Sequence, residues 1–382
     1  MPGFELIGSE ERDQALSIFE KSGGVLFRHG FDAQRNGVFK VKDFEKLFIT
    51  GIGFPPQCKA LAVSSGTAAL RVALAALDLR PGSKVLIPSF TFVATYEAVI
   101  ESGLIPVAVG IDACLGIDIV DLENNIDSDV SAVICVHMLG YPCDIEKVSN
   151  ICERKNLFLI EDVAWGLGAE CNNQLLGTFG TVSCFSFDHA KLITTGEGGM
   201  VITKDEGIYA RAAAWHDHGH ENTPGVPRWK DNRRSSGFNF RMTEIQAAIG
   251  IAQLKKFKTI ISFQRDTVRS LEPKLMANKS ISMISRSNCF PSFDALIVRV
   301  ESAESASSIR DFLLSQNVGT KILPEALSWH FAGDFEHLKD EIILSDSKQG
   351  LGRELLRKCV AIPINFSDKG KLQAVIEVMQ NG

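Results

Sequence analysis

From residue 84 to residue 161, short apolar runs rich in β-branched residues alternate with longer stretches of helical pattern, and few architectures accommodate that order. Lys84–Pro88, Ile105–Val109, Val130–Val136 and 157–161 read as strands bounded by turn signals. They are apolar at successive positions, as strands are when both faces of a sheet are covered. Helical patterns occupy 64–79, 91–102 and 145–155. This alternation predicts an α/β fold on a mostly parallel sheet. The pattern then changes at 181–203 to strand, polar loop, glycine-rich turn and strand.

The flanks are simpler. Residues 9–21 read as a helix with Ser9 as its cap and acids in its first turn. Residues 23–41 are glycine-rich and irregular, and 42–50 suggest a short helix. A long helical pattern fills 242–271, followed by strands near 281–284 and 295–301 and helices at 303–315 and 368–380. The expected division is a large α/β domain over 1–258 and a small α+β domain over 259–382.

Composition narrows the function classes. Apolar residues make up 45% of the 382 positions and charged residues 23%, as in an ordinary soluble protein. A net charge of -6 without a basic stripe argues against a nucleic-acid partner, while leaving room for a local basic pocket. The nine cysteines include no CxxC pair and lie mostly in apolar runs, which reads as reduced core thiols. No basic-then-apolar leader opens the sequence, and no apolar run is long enough to span a bilayer. The expectation is a cytoplasmic protein with neither membrane nor nucleic-acid partner.

Three segments carry chemistry together. Ser64-Ser65-Gly66-Thr67 follows the apolar run Leu61-Ala62-Val63 and opens a helix. Free N–H groups and the positive dipole end there suit a phosphate, although a plain N-cap has the same residues. Asp162 ends another apolar run, at the strand end where ligands sit in open parallel sheets. A carboxylate there suits a pyridinium nitrogen, a helix cap or a metal. Lys191 stands between Phe185-Ser186-Phe187 and the turn Thr194-Thr195-Gly196-Glu197-Gly198-Gly199. Partial desolvation and a neighbouring cation would lower its pKa and free an amine to attack a carbonyl. A phosphate cradle, an acid and such a lysine fit pyridoxal phosphate.

Other residues suggest a substrate side. His216, His218 and His220 alternate along one loop, as a metal cluster or as a substrate loop; the substrate loop is preferred and no metal is expected. Arg228, Lys230, Arg233 and Arg234 crowd the next segment, as a solvated loop or as a clamp for an anionic group. His29 is placed in the same role.

These segments, with PSFTFVAT (88–95), IEDVAWGLGA (160–169) and GFNFRMTEIQAAIG (237–250), resemble the DegT/DnrJ/EryC1/StrS sugar aminotransferases over nearly the whole chain. The resemblance implies an aspartate-aminotransferase-like fold and pyridoxal phosphate as cofactor. It implies that Lys191 forms the Schiff base and moves the proton, and that Asp162 pairs with the pyridine nitrogen. Ser65, Gly66, Thr67 and Ser186 become phosphate ligands, and Phe92 stacks on the ring. Asn239 reaches the phosphate of a second subunit, so the implied unit is a homodimer with shared sites. Trp165 departs from the pattern, standing where Gln or His normally faces the cofactor's 3-hydroxyl; its indole N–H is a possible donor. Relatives with His at the lysine position are sugar dehydratases, and this chain keeps Lys191. The implied reaction moves an amino group, with glutamate as donor, to a keto- or aldehydo-sugar. Residues 216–244 and 323–333 resemble the branch that aminates the 8-oxo form of 3-deoxy-manno-octulosonate for lipopolysaccharide. A nucleotide-linked 4-keto-6-deoxy sugar, and a dehydratase reaction, are the alternatives.

Overall fold

The computed structural model describes residues 2–345 and 349–381. In chain order the strands are β1 (Lys59–Val63), β2 (Lys84–Pro88), β3 (Ile105–Val109), β4 (Val130–Val136), β5 (Phe158–Asp162), β6 (Glu170–Cys171), β7 (Gln174–Leu175), β8 (Val182–Ser186) and β9 (Gly199–Thr203). They continue with β10 (Ser282–Met283), β11 (Cys289–Phe290), β12 (Ala295–Arg299), β13 (Ile343–Leu344) and β14 (Cys359–Pro363). One eight-stranded sheet has the order β1-β9-β8-β5-β4-β2-β3-β13, and within it β9 alone runs against the rest. The expected mostly parallel α/β architecture is therefore present.

Both faces of that sheet are covered, which explains its unbroken apolar runs. Leu61, Val63, Ile87, Ile134 and Ile160 point into one apolar cluster with the helix Gly66–Leu77. Their neighbours Ala60, Ala62, Leu86, Val133 and Leu159 point into a second cluster with the helix Lys40–Ile52 and the start of the helix Glu244–Ala277. Successive strand residues face opposite ways, so each strand feeds both cores. A third cluster, including Val268, Leu296, Val298 and Ile376, underlies the antiparallel sheet β10-β12-β14.

The expected division at 258/259 falls inside the unbroken helix Glu244–Ala277. Phe257, Ile260 and Ile261 of that helix belong to the second cluster, while Val268 and Leu271 belong to the third. The helix thus couples two cores rigidly. The C-terminal part also returns to the large sheet through β13, which pairs with β3.

Several boundaries differ from the sequence expectation for local reasons. Gly8, not Ser9, caps the helix Ser9–Lys21: its N–H donates to the Glu11 carboxylate at 2.8 Å. The 64–79 helix shortens to Gly66–Leu77, because Ser65 is extended and Asp78 turns left-handed. Residues 91–93 are not helical, and the helix there runs Ala94–Ile100. Leu157 N–H donates to Cys152 O, so β5 begins at Phe158. Two cysteines overturn the reading of nine reduced thiols: Cys171 and Cys289 face each other across paired β6 and β11 and form a disulfide.

Candidate active site

Strands β1, β5 and β8 are parallel, so their carboxyl ends emerge on one edge of the sheet. Val63 leads into Ser65, β5 ends at Asp162, and β8 ends at Ser186. The polar loop after β8 returns Lys191 over that edge before β9 begins at Gly199. Ser65, Gly66, Thr67, Phe92, Asp162, Trp165, Ser186 and Lys191 all line one cleft there.

The phosphate-sized end of the cleft is built by close approach. Ser65 Oγ accepts from Ala68 N–H at 3.0 Å and caps the 66–77 helix. Its oxygen accepts there, which leaves the hydroxyl proton to donate beside the N–H groups of the helix start. A Cβ on Gly66 would lie 2.8 Å from Ser186 Cβ, so only glycine lets the helix start meet the end of β8.

Asp162 is 6% exposed and lies opposite in character to that cradle. Its carboxylate accepts from Ala164 N–H at 3.1 Å and from Thr95 Oγ1 at 3.4 Å. Burial nonetheless raises its pKa above the ordinary aspartate value, because those bonds and the nearby Lys191 offset the desolvation only in part. A protonated pyridine nitrogen would supply the missing cationic partner. Behind it, Glu161 is fully buried but saturated by the N–H groups of Gly177, Phe179 and Gly180.

The Lys191 amine stands 3.3 Å from the centroid of the Trp165 ring. Desolvation, then repulsion from Lys321, lowers its pKa to about 8. The neighbouring cation required by the sequence argument is thus Lys321, from a segment that the sequence reading left without a role. Trp165 offers the lysine its ring face, a cation–π contact. Phe92 lines the mouth of the cleft, 45% exposed, with its ring 5.8 Å from that of His330. Thr95, Asp188 and Glu197 also line it and were not anticipated.

The expected substrate residues do not line this cleft within their own chain. His29 Nε2 lies 2.9 Å from Asp217 Oδ2, and Arg228 forks onto the same carboxylate. Arg241 also donates to it. Against the cost of burial, these bonds hold Asp217 well below the usual carboxylate range. Arg234 pairs with Glu221 at 3.3 Å and borders a separate cavity with Arg71 and Trp215. His218 is exposed with left-handed backbone. The three alternating histidines diverge: His216 Nδ1 meets Ala213 O, and His220 faces Asp231. Asn239 is exposed and bridged to Asp217, outside its own cleft.

A model of the DegT/DnrJ/EryC1/StrS aminotransferase family matches residues 34–353. The chain belongs to that family. It is 34% identical over 263 residues to the GDP-perosamine synthase of Escherichia coli O157:H7, covering 69% of this chain and 71% of that one. It is 38% identical over 208 residues to the Vibrio cholerae GDP-perosamine synthase, covering 54% of this chain but only 55% of that one. In fold it superposes on the E. coli GDP-4-keto-6-deoxy-D-mannose-3-dehydratase holding hydrated pyridoxal phosphate, with a TM-score of 0.83, 23% identity and 97% of each chain covered. This DegT/DnrJ/EryC1/StrS member is a sugar aminotransferase, and its cofactor is pyridoxal phosphate. No helix among the described residues is long and apolar enough to cross a membrane.

Proposed function

We propose that this enzyme moves an amino group from glutamate to the aldehyde of 8-oxo-3-deoxy-manno-octulosonate, giving 8-amino-3,8-dideoxy-manno-octulosonate, as a cytoplasmic homodimer. The placement of residues 323–333 carries the reading. This segment resembles the octulosonate branch, and it folds against the cleft mouth. Thr91 N–H donates to His330 O at 2.9 Å, Phe90 bridges Phe331, and His330 lies beside Phe92. The segment that resembles the branch thus borders the cleft mouth, where an acceptor would enter.

Roles follow from the geometry. The helix start at Gly66 and Thr67, with Ser186, would hold the cofactor phosphate. Ser65 supports this by fixing the helix start. Asp162 would hold the pyridine nitrogen protonated, and Phe92 would cover the ring. Pyridoxal phosphate, when bound, supplies an aldehyde for amines and a ring that stores an electron pair. Lys191, held near neutrality, takes and returns the proton at the substrate carbon. Asn239, exposed beside Asp217, would reach the phosphate site of a second subunit. His29 and Arg228 pair with Asp217 and Arg234 with Glu221 within their own chain; as substrate residues they, with His218, would serve the cleft of a second subunit, as Asn239 would.

The GDP-perosamine synthase relatives favour a second reading, in which the acceptor is a nucleotide-linked 4-keto-6-deoxy sugar. Purified protein loaded with pyridoxal phosphate and glutamate should lose its visible cofactor band as the amino form accumulates. It should then aminate 8-oxo-3-deoxy-manno-octulosonate, measured by mass spectrometry. Turnover of GDP-4-keto-6-deoxymannose alone would establish the second reading. Loss of a sugar hydroxyl without amine incorporation would establish a dehydratase.

A further inference from the structure

Two lysine side chains share one indole. The Lys191 amine lies 3.3 Å from the Trp165 ring centroid, and the Lys321 amine lies 4.5 Å from the same centroid. Lys321 is not a stray surface residue. Its side chain is 10% exposed, and its amine pairs at 2.6 Å with Asp294, which is almost wholly buried. Its backbone N–H donates to Ala361 O of β14 at 2.8 Å, and its amine also lies 3.4 Å from Ala190 O, one residue before Lys191. Lysines are rarely buried without a partner. The pair is neutral overall, but its ammonium end shares the indole with the reacting amine, where repulsion is weakly screened, and Asp294 offsets that repulsion only in part.

We propose that Lys321, pinned by Asp294 on the indole of Trp165, acts through Lys191 and biases that amine towards its nucleophilic form. The inference rests on reading Lys191 as the amine that takes the cofactor aldehyde. A second cation beside a reactive lysine is a known route to a free amine at neutral pH. The other charged groups around the amine oppose or leave unchanged this effect: Asp188 and Asp294 favour its charged form, as does Asp162. Glu197 lines the same cleft, and His330 lies close enough to feel the Lys191 charge. Burial lowers the amine's pKa most, and Lys321 is the neighbouring cation that adds to it. It belongs to the segment between the helix Ala303–Ser315 and β14, so the tuning exists only while that segment is docked on the cleft.

The test uses the full-length protein stripped of cofactor. Pyridoxal phosphate is added, and the rate of growth of the visible band is measured against pH. In the parent protein the half-maximal rate should fall near pH 8. Lys321→Met should move it upward by about one unit, some tenfold less free amine at a given pH. Lys321→Arg keeps the charge and should restore the parent midpoint. Asp294→Asn removes the counter-charge and should lower it. An unmoved midpoint in a folded Lys321→Met protein overturns the inference. If that variant loses its thermal unfolding transition, the other two variants decide: a lowered midpoint in Asp294→Asn with a parent-like Lys321→Arg supports it, and any other pair overturns it. The functional reading fails separately, if Lys191→Ala still forms the same band.

Discussion

Asp162 and Asp217 are both buried aspartates at the ends of regular elements, yet their surroundings push them in opposite directions. Asp217 is saturated: Arg228 and Arg241 donate to it, and His29 completes the set. Asp162 receives only a backbone N–H and a threonine hydroxyl, and burial raises its pKa. Buried charges are normally paired. The saturated carboxylate is therefore a structural hub that fastens the 217–241 loop. The under-paired one, beside a lysine whose pKa is lowered to about 8, is where a cationic ligand group would supply what the protein omits.

The sharpest way to break this contrast is at its two reactive groups. Lys191→Ala should abolish amino transfer by at least about 10³-fold while the protein stays folded, because the proton carrier is lost. Steady-state rates with glutamate and sugar acceptor check this. Asp162→Asn should cut the same rate by roughly 10²–10³-fold, the scale for losing one charge-stabilising group in a closed site. Asp217→Asn should do the reverse. It leaves Arg228, Arg241 and His29 around a neutral amide and should cost about 3 kcal/mol of stability, read by urea unfolding. If it instead spared stability and removed activity, the hub would belong to the active site and the contrast would collapse. Gly66→Ala should weaken capture of pyridoxal phosphate by about tenfold, since the added methyl strikes Ser186 and displaces one or two donors by a fraction of an ångström.

The asymmetry also explains what the sequence could disclose. β2, β3 and β4 were legible to the residue, because strands covered on both faces leave an unbroken apolar signature. The cleft was legible because its parts sit at strand ends next to glycines, so local pattern and position in the sheet coincide. Lys321 was not, and His330 was marked only by the resemblance of 323–333, not as a cleft residue. Both reach the cleft from a segment more than a hundred residues beyond Lys191 that has only short 3-10 turns. The pairing of the loop basics was hidden for a related reason. Arg228 stands in a cluster of positive residues, its partner Asp217 lies eleven residues earlier, and the fork between them appears only once the loop has folded back. The Cys171–Cys289 pair is invisible for the same cause, at a separation of 118 residues.

The smallest effect is the most discriminating, because its sign changes with pH and with cofactor. The folded-state pKa of Asp162 lies above its ordinary value of 3.8. A carboxyl of this kind contributes stability below its unfolded pKa and loses that contribution as pH rises through the folded value. Asp162→Asn has no such loss, so its stability relative to the parent should improve between pH 4 and pH 7, by on the order of 1 kcal/mol. Asp217 has a depressed folded pKa and contributes stability above its unfolded value, lost only as pH falls far into acid. Asp217→Asn should therefore be worse than the parent at pH 7 and also at pH 4. Adding pyridoxal phosphate should reverse the Asp162 result alone. Binding gives the parent carboxylate its cationic partner and stabilises the folded state by mass action, more than it can stabilise the asparagine variant. Thermal unfolding of the three proteins at two pH values, with and without the cofactor, reads all of this. A parent protein that gains no more from the cofactor than Asp162→Asn would mean that the missing partner of Asp162 is not the pyridine nitrogen.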